Sequence, residues 1–94
     1  MEKAMPEQYK VVIKVVSQSG HCDAGHKVGD KWVMQDKTPP DICLGAFQNI
    51  CSDARVLLYG GCFPWSKDGD TTLVACPDAQ NSVVFELRKM KGQE

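Results

Sequence analysis

One stretch of helical periodicity, residues 42–58, does most to decide what this chain can fold into. Its apolar side chains recur three and four residues apart, which is the spacing of a helix that buries one face. They are Ile42, Ala46, Ile50, Ala54, Leu57 and Leu58. Pro39-Pro40 predicts a loop before the stretch, with Asp41 as the helix N-cap. Ser52-Asp53 is predicted to break or re-cap the run, giving a helix followed by a second short turn.

The other patterned segments have strand character. Residues 9–17, with the sequence YKVVIKVVS, are rich in β-branched side chains, which favour strands. Three shorter segments bounded by turn signals resemble them: 31–34, 71–76 and 83–88. A sheet buries one face under a helix in the simplest two-layer domain. The sequence therefore predicts an α+β fold, in which a small antiparallel or mixed sheet of about four strands is covered by one principal helix.

Length and local composition predict a single domain. The chain has 94 residues, enough for one core that buries roughly 60–70% of the unfolded surface. Residues 1–8 are polar and predicted to be frayed, so residues 9–94 are expected to form a single globular domain. The N-terminus lacks the apolar stretch of a secretory signal, and no apolar run approaches the ~20 residues that span a bilayer. These features predict a cytoplasmic protein that does not enter a membrane.

Charge argues against a nucleic-acid partner. The net charge is −1, and the basic residues are scattered apart from Arg88, Lys89 and Lys91. A nucleic-acid interface needs a concentrated basic patch, so none is expected here. The aromatic residues of the loop at 62–65, Phe63 and Trp65, are expected to pack the loop, with a hydrogen-bond partner for the indole nitrogen. They also leave open a protein partner or a homo-oligomer, because aromatic residues are enriched at interfaces.

Five cysteines and two histidines are the chemically distinctive residues of the chain. An odd number of cysteines cannot be fully paired within one chain. In a reducing compartment they are expected to be buried thiols, metal ligands or reactive groups. No two cysteines have the Cys-x-x-Cys spacing, which argues against zinc-ribbon and thioredoxin-like sites. A shared site would therefore be assembled by the tertiary fold.

Four of these residues are predicted to form one metal site: Cys22, His26, Cys43 and Cys76. Three residues separate Cys22 from His26, a short chelate spacing of the kind seen at zinc sites. Cys43 is predicted in the first turn of the helix, where the partial positive charge favours a thiolate. Cys76 ends a strand immediately before Pro77. Three thiolates and one imidazole match tetrahedral zinc, with iron or an iron–sulfur cluster as the alternatives.

Other interpretations of the same residues stay open. Free cysteine is among the most buried residue types and often acts as a small apolar side chain. A thiol-dependent enzyme would use Cys43 as its nucleophile and His26 as its base, so whether the protein is an enzyme is undecided. An accessory subunit without chemistry of its own would instead bury the loop aromatics against a partner.

The remaining candidates are expected to be bystanders. His21 and Cys62 are interpreted as loop residues and Cys51 as a packed side chain on the helix. A fifth metal ligand or a reactive thiol is the alternative for Cys62. Asp23 and Asp30 have the chemistry to accept a hydrogen bond from His26 beside a metal, although surface turn aspartates are commoner. Trp32 is expected in the core or on a sheet face. The Asp68–Asp70 pair lacks the further acidic positions of a calcium loop and predicts a turn.

Several segments together resemble a family of small, uncharacterised prokaryotic cytosolic proteins. They are residues 20–30 (GHCDAGHKVGD), 42–46 (ICLGA), 60–65 (GGCFPW) and 74–87 (VACPDAQNSVVFEL). The likeness covers nearly the whole chain after its first eight residues. It implies cysteine or histidine at positions 22, 26, 43 and 76, and it is less particular about cysteine at 51 and 62. The resemblance sharpens the choice of residues and supplies no reaction.

Overall fold

A computed structural model of the protein describes residues 9–20, 25–35, 37–77 and 80–91. In these ranges one helix packs on a four-stranded antiparallel sheet, so the predicted α+β fold with one principal helix is confirmed. The strands are β1 (Tyr9–Gln18), β2 (Lys31–Met34), β3 (Thr71–Ala75) and β4 (Val83–Lys91), and the helix is α1 (Leu44–Leu58). The order across the sheet is β2-β1-β4-β3. No helix in the described ranges is long and apolar enough to cross a membrane.

Alternation along the two central strands creates the core. Val11, Ile13 and Val15 of β1 and Phe85 and Leu87 of β4 are fully buried. The apolar stripe of α1 covers them with its own buried residues, which are Ala46, Ile50, Ala54 and Leu57. Burying one large apolar side chain contributes about 1.5–3 kcal/mol. This cluster therefore holds helix and sheet together, with Phe63 as the contribution of the loop at 59–70.

The opposite face of the sheet mixes charged and apolar side chains. Val33, Leu73 and Met90 are 55%, 64% and 44% exposed on that face. Lys14 and Glu86 lie opposite each other across β1 and β4. Among the described elements none covers this face, which is common for an antiparallel sheet.

Two local predictions about α1 are wrong. The helix is continuous through Ser52-Asp53, because burial of Ile50 and Ala54 on either side outweighs the modest helix propensities of Ser and Asp. The N-cap is Cys43, with φ −57° and ψ 132°, and not Asp41. Asp41 has φ 66°, a left-handed conformation that aspartate tolerates, so it belongs to the preceding turn.

Several chain segments meet at one end of the sheet, which we call the His26 end: residues 19–20, 25–30, 42–45, 76–77 and 80–82. The Ser19 N–H donates to the Ser82 carbonyl at 2.9 Å, which joins the end of β1 to the start of β4. A Cβ atom placed on Gly45 would lie 3.7 Å from Pro77 Cγ, so the start of α1 lies beside the end of β3.

The opposite end of the sheet, the Trp65 end, consists of residues 59–70. Lys89 ties this loop to β4, since its Nζ donates to the Gly61 carbonyl at 3.0 Å. The same ammonium lies 5.0 Å from the centroid of the Tyr9 ring and 3.3 Å from Asp70 Oδ1. The two ends are thus separated by the length of the sheet.

Candidate functional site

His26 links a loop to the start of the helix. The residue is 6% exposed, and its Nε2 accepts a hydrogen bond from the Cys43 backbone N–H at 3.0 Å. A neutral imidazole has one acceptor nitrogen, so this bond assigns the ring proton to Nδ1. Since Cys43 is the N-cap of α1, the imidazole satisfies a main-chain donor at the helix end.

Two aromatic rings orient the imidazole. The Trp32 ring centroid lies 4.9 Å from that of His26 at an interplanar angle of 72°. The Phe85 ring meets the imidazole at 82° with centroids 6.2 Å apart. These edge-to-face contacts fix the orientation of the histidine ring on the face of the sheet that carries the core. They also confirm the expected core position of Trp32, which packs against the buried cluster.

The Cys43 thiol is positioned at the helix N-terminus but does not cap it. The Cys43 side chain makes no capping hydrogen bond, although the Cys43 carbonyl accepts the first helical bond from Phe47 N–H at 2.9 Å. The side chain is half-buried and packs against the core. Its sulfur therefore lies at the positive end of the helix dipole, an environment that suits an anionic ligand.

The Cys76 sulfur is a hydrogen-bond acceptor. Cys76 follows β3, and its backbone N–H donates to the Val83 carbonyl at 2.9 Å. The Val83 N–H returns a bond to Cys76 Sγ at 3.3 Å, and the Cys76 thiol donates to the Asn81 carbonyl at 3.8 Å. The Val83 N–H would also stabilise a thiolate or a metal-bound sulfur, whereas the bond to Asn81 belongs to the neutral thiol.

Cys22 lies outside the described residues, which resume at Gly25. The nearest described residues on either side of it are Gly20 and Gly25. Gly20 lies against the β3–β4 turn, where an added Cβ would come within 2.8 Å of the Gln80 carbonyl oxygen. On the other side, His26 contacts Cys43. Gly20 thus lies beside Gln80 in the turn before β4, and His26 lies at the start of α1.

The structure brings the elements of the candidate site together, but the described residues do not form a complete set of metal ligands. Within the described ranges no group of three or more His, Cys, Asp or Glu side chains could hold a metal ion. His26, Cys43 and Cys76 therefore do not complete a site by themselves. The assignment of Cys22, His26, Cys43 and Cys76 to one site stays a prediction.

The other cysteines lie elsewhere. Cys51 is half-buried in the middle of α1. Cys62 is exposed at the Trp65 end. His21 and Asp23 are outside the described residues. Asp30 accepts the Lys27 N–H at 3.1 Å, which is the turn role that we expected to be the commoner one.

Phe63 and Trp65 differ in their exposure. Phe63 is 7% exposed and belongs to the core, whereas Trp65 is 69% exposed and stacks on it with centroids 4.9 Å apart. The indole N–H of Trp65 donates to Thr72 Oγ1 at 3.1 Å, so the expected partner for the ring nitrogen is confirmed. Of the two rings, only that of Trp65 is accessible to another molecule.

The turn after Trp65 is organised by one carboxylate. Asp68 Oδ1 accepts bonds from the Asp70 backbone N–H at 2.9 Å and from the Ser66 hydroxyl at 3.0 Å. The Asp70 bond, then the Ser66 bond and the nearby Arg88 guanidinium lower the pKa of Asp68, against a smaller opposing effect of burial. The acidic pair is therefore used within a turn, as its sequence predicts.

Comparison with known proteins adds no family. Neither a protein-family model, nor a curated protein, nor a solved structure matches this chain. The family resemblance carried by the four sequence segments stays a prediction.

Proposed function

We propose that this protein is a small metal-binding protein whose site lies at the His26 end. Its ligands are the thiolates of Cys22, Cys43 and Cys76 and the imidazole of His26, with zinc favoured over iron or an iron–sulfur cluster. The observation that carries the proposal is that the elements next to all four residues meet at one end of the sheet. Cys51 and Cys62 do not share that position.

The hydrogen bond between His26 and Cys43 sets the energetic condition for metal binding. Coordination through Nε2 exchanges the Cys43 N–H for the metal ion. Leaving the Cys43 N–H without its acceptor costs about 1–3 kcal/mol, whereas structural zinc contributes about 10–16 kcal/mol in finger peptides. The exchange is therefore favourable by a wide margin.

The same bond weakens the case for a thiol-dependent enzyme. A general base must direct its free nitrogen at the nucleophile, within about 3 Å. Here the acceptor nitrogen of His26 is directed at the Cys43 main chain, 3.0 Å away. Proton abstraction offers no metal bond to compensate for losing that contact, so we rank the enzyme below the metal site.

A reducing compartment belongs to the same proposal. Free thiolate ligands persist where thioredoxin and glutathione keep cysteines reduced, so we place the protein in the cytoplasm. The domain has an apolar core of its own, which distinguishes it from zinc fingers that fold only with metal. Metal at the His26 end would tie loops together around an existing core.

Elemental analysis tests the proposal directly. Protein purified without oxygen or chelator is expected to contain close to one equivalent of zinc and no colour, or iron with a visible spectrum. A content below about a tenth of an equivalent of any transition metal would contradict the proposal, because a closed site of three thiolates and one imidazole is expected to bind its ion tightly.

A further inference from the structure

The strand β3 forms one edge of the sheet, and the pairing with β4 determines which of its main-chain groups face outward. Lys89 N–H donates to the Asp70 carbonyl at 2.8 Å, and Cys76 N–H donates to the Val83 carbonyl at 2.9 Å. In an antiparallel pair, residues alternate between bonding the neighbour and facing away from it. Because Asp70 and Cys76 bond β4, Thr71, Leu73 and Ala75 direct their N–H and C=O groups to the free edge.

The two ends of this edge are partly covered, and its centre is not. Thr71 N–H donates to Ser66 Oγ at 3.4 Å, and the Ala75 carbonyl accepts Asn49 Nδ2 at 3.0 Å. Within the described ranges, the Leu73 N–H and C=O have no hydrogen-bond partner. A donor and an acceptor of the same residue are therefore both free.

The edge also lacks the usual features that prevent strand pairing. Natural edge strands are protected by lysine, proline, a bulge or a covering element. Thr71–Ala75 has the sequence TTLVA, without charge or proline, and Leu73 is 64% exposed. The edge strand on the other side of the sheet, β2, carries Lys31. The β3 edge is therefore better suited than the β2 edge to pair with an identical strand of another molecule.

We propose that β3 pairs with β3 of a second copy of this chain, antiparallel about a two-fold axis at Leu73. Each Leu73 N–H then donates to the Leu73 carbonyl of the other copy. These two reciprocal hydrogen bonds satisfy the free N–H and C=O groups of Leu73 in both copies. Thr71 faces Ala75 across the axis. Its N–H exchanges the long bond to Ser66 Oγ, 3.4 Å, for the Ala75 carbonyl of the other copy, which accepts through its second lone pair. The uncharged strand meets itself without like-charge repulsion.

Trp65 extends the contact on the helix side of the sheet. Its indole is bonded to Thr72, whose side chain points to the core. In the proposed register Thr72 lies opposite Val74 of the second copy, which places the exposed indole next to a half-buried valine. The interface therefore buries Leu73 on one face of the sheet and Trp65 on the other.

The dimer is expected to be weak. Five paired residues and one aromatic ring per copy cover less than the ~800 Å² per partner of a standard interface. A dissociation constant on the order of 10–100 μM fits an interface of this size.

Sedimentation velocity of the full chain in reducing buffer tests the pairing. Wild type is expected to shift from monomer to dimer between about 1 μM and 1 mM, which brackets the expected dissociation constant. Leu73→Lys puts two like charges at the axis and is expected to raise the dissociation constant at least about tenfold. Val33→Lys is the matched control: it changes an apolar residue of similar exposure on the other edge strand, 55% against 64% for Leu73, and it should leave the dissociation constant unchanged.

Amide hydrogen exchange supplies a readout that is independent of the variants. The Leu73 amide should become protected as wild-type concentration rises, while the Val33 amide should not. A wild type that stays monomeric at about 1 mM would overturn the proposal. So would a Val33→Lys variant as defective as Leu73→Lys, or a dimer in which Leu73 exchange is independent of concentration.

Discussion

At the scale of single residues, the imidazole ring of His26 makes two separate structural contributions. Its edge-to-face packing against Trp32 belongs to the core, and its hydrogen bond to Cys43 belongs to the helix end. Removing the acceptor nitrogen while keeping an aromatic ring separates these two contributions. The main-chain N–H of Cys43 would then be left without its protein partner in a half-buried position.

We therefore expect His26→Phe to destabilise the domain although it keeps a ring of similar size. The loss should be about 1–3 kcal/mol, the usual penalty for a buried donor that loses its acceptor. Urea unfolding in the presence of a chelator measures it without a contribution from metal. A variant as stable as the wild type would show that the bond to Cys43 does not hold the loop to α1.

The second prediction at this scale concerns acid stability. The pKa of Asp68 is held below its ordinary value of 3.8, chiefly by the Asp70 N–H. The ionised carboxylate therefore stabilises the folded state above that ordinary value, and the contribution is lost as the pH falls through the folded-state pKa. Asp68→Asn should flatten the acid limb of the unfolding free energy below about pH 4. Identical limbs in the variant and the wild type would argue against this role of the turn.

At the scale of elements, the periodicity of apolar residues predicts those features of the fold that tertiary contacts leave unchanged. The stripe from Ala46 to Leu57 predicts α1 because those side chains must face one core. The start of the helix could not be predicted in the same way, since the Cys43 N–H is satisfied by a histidine 17 residues earlier in the chain. Local capping rules favoured Asp41, and no pattern in the sequence encodes its left-handed backbone.

In the candidate site, too, the sequence predicts some features, and others depend on tertiary packing. Cys43 and Cys76 were chosen because each was expected next to the end of an element, and the structure places both there. That His26 contacts the amide of Cys43, and not its thiol, depends on how the loop before β2 packs under Trp32. Chain spacing carries no information about such a contact.

One prediction at the element scale compares two leucines of α1. Leu57 is fully buried against the sheet, whereas Leu44 in the first turn is 83% exposed. Leu57→Ala should lower the unfolding free energy by about 2–5 kcal/mol through lost burial and a cavity. Leu44→Ala, the same change on the same helix, should stay within about 0.5 kcal/mol. Equal effects in a denaturant titration would contradict the packing described for α1.

At the scale of the whole molecule, the sheet keeps two kinds of surface apart. The His26 end gathers the proposed ligands, and the open edge of β3 together with Trp65 forms the proposed contact with a second copy. The buried core between them consists of side chains of α1, β1 and β4 together with Met34 and Phe63, and Cys43, Val74 and Cys76 pack against its margin. Metal binding and self-association should therefore respond to different substitutions.

A cobalt(II) titration with matched cysteine variants tests the metal site most directly. Tetrahedral cobalt bound to thiolates gives intense visible absorption, so wild-type protein stripped of metal should saturate at one equivalent. Cys22→Ser, Cys43→Ser and Cys76→Ser should each weaken and shift that spectrum, whereas Cys51→Ser and Cys62→Ser should leave it unchanged. A wild type that gives no such spectrum, or a Cys62→Ser variant that loses it, would contradict a site at the His26 end.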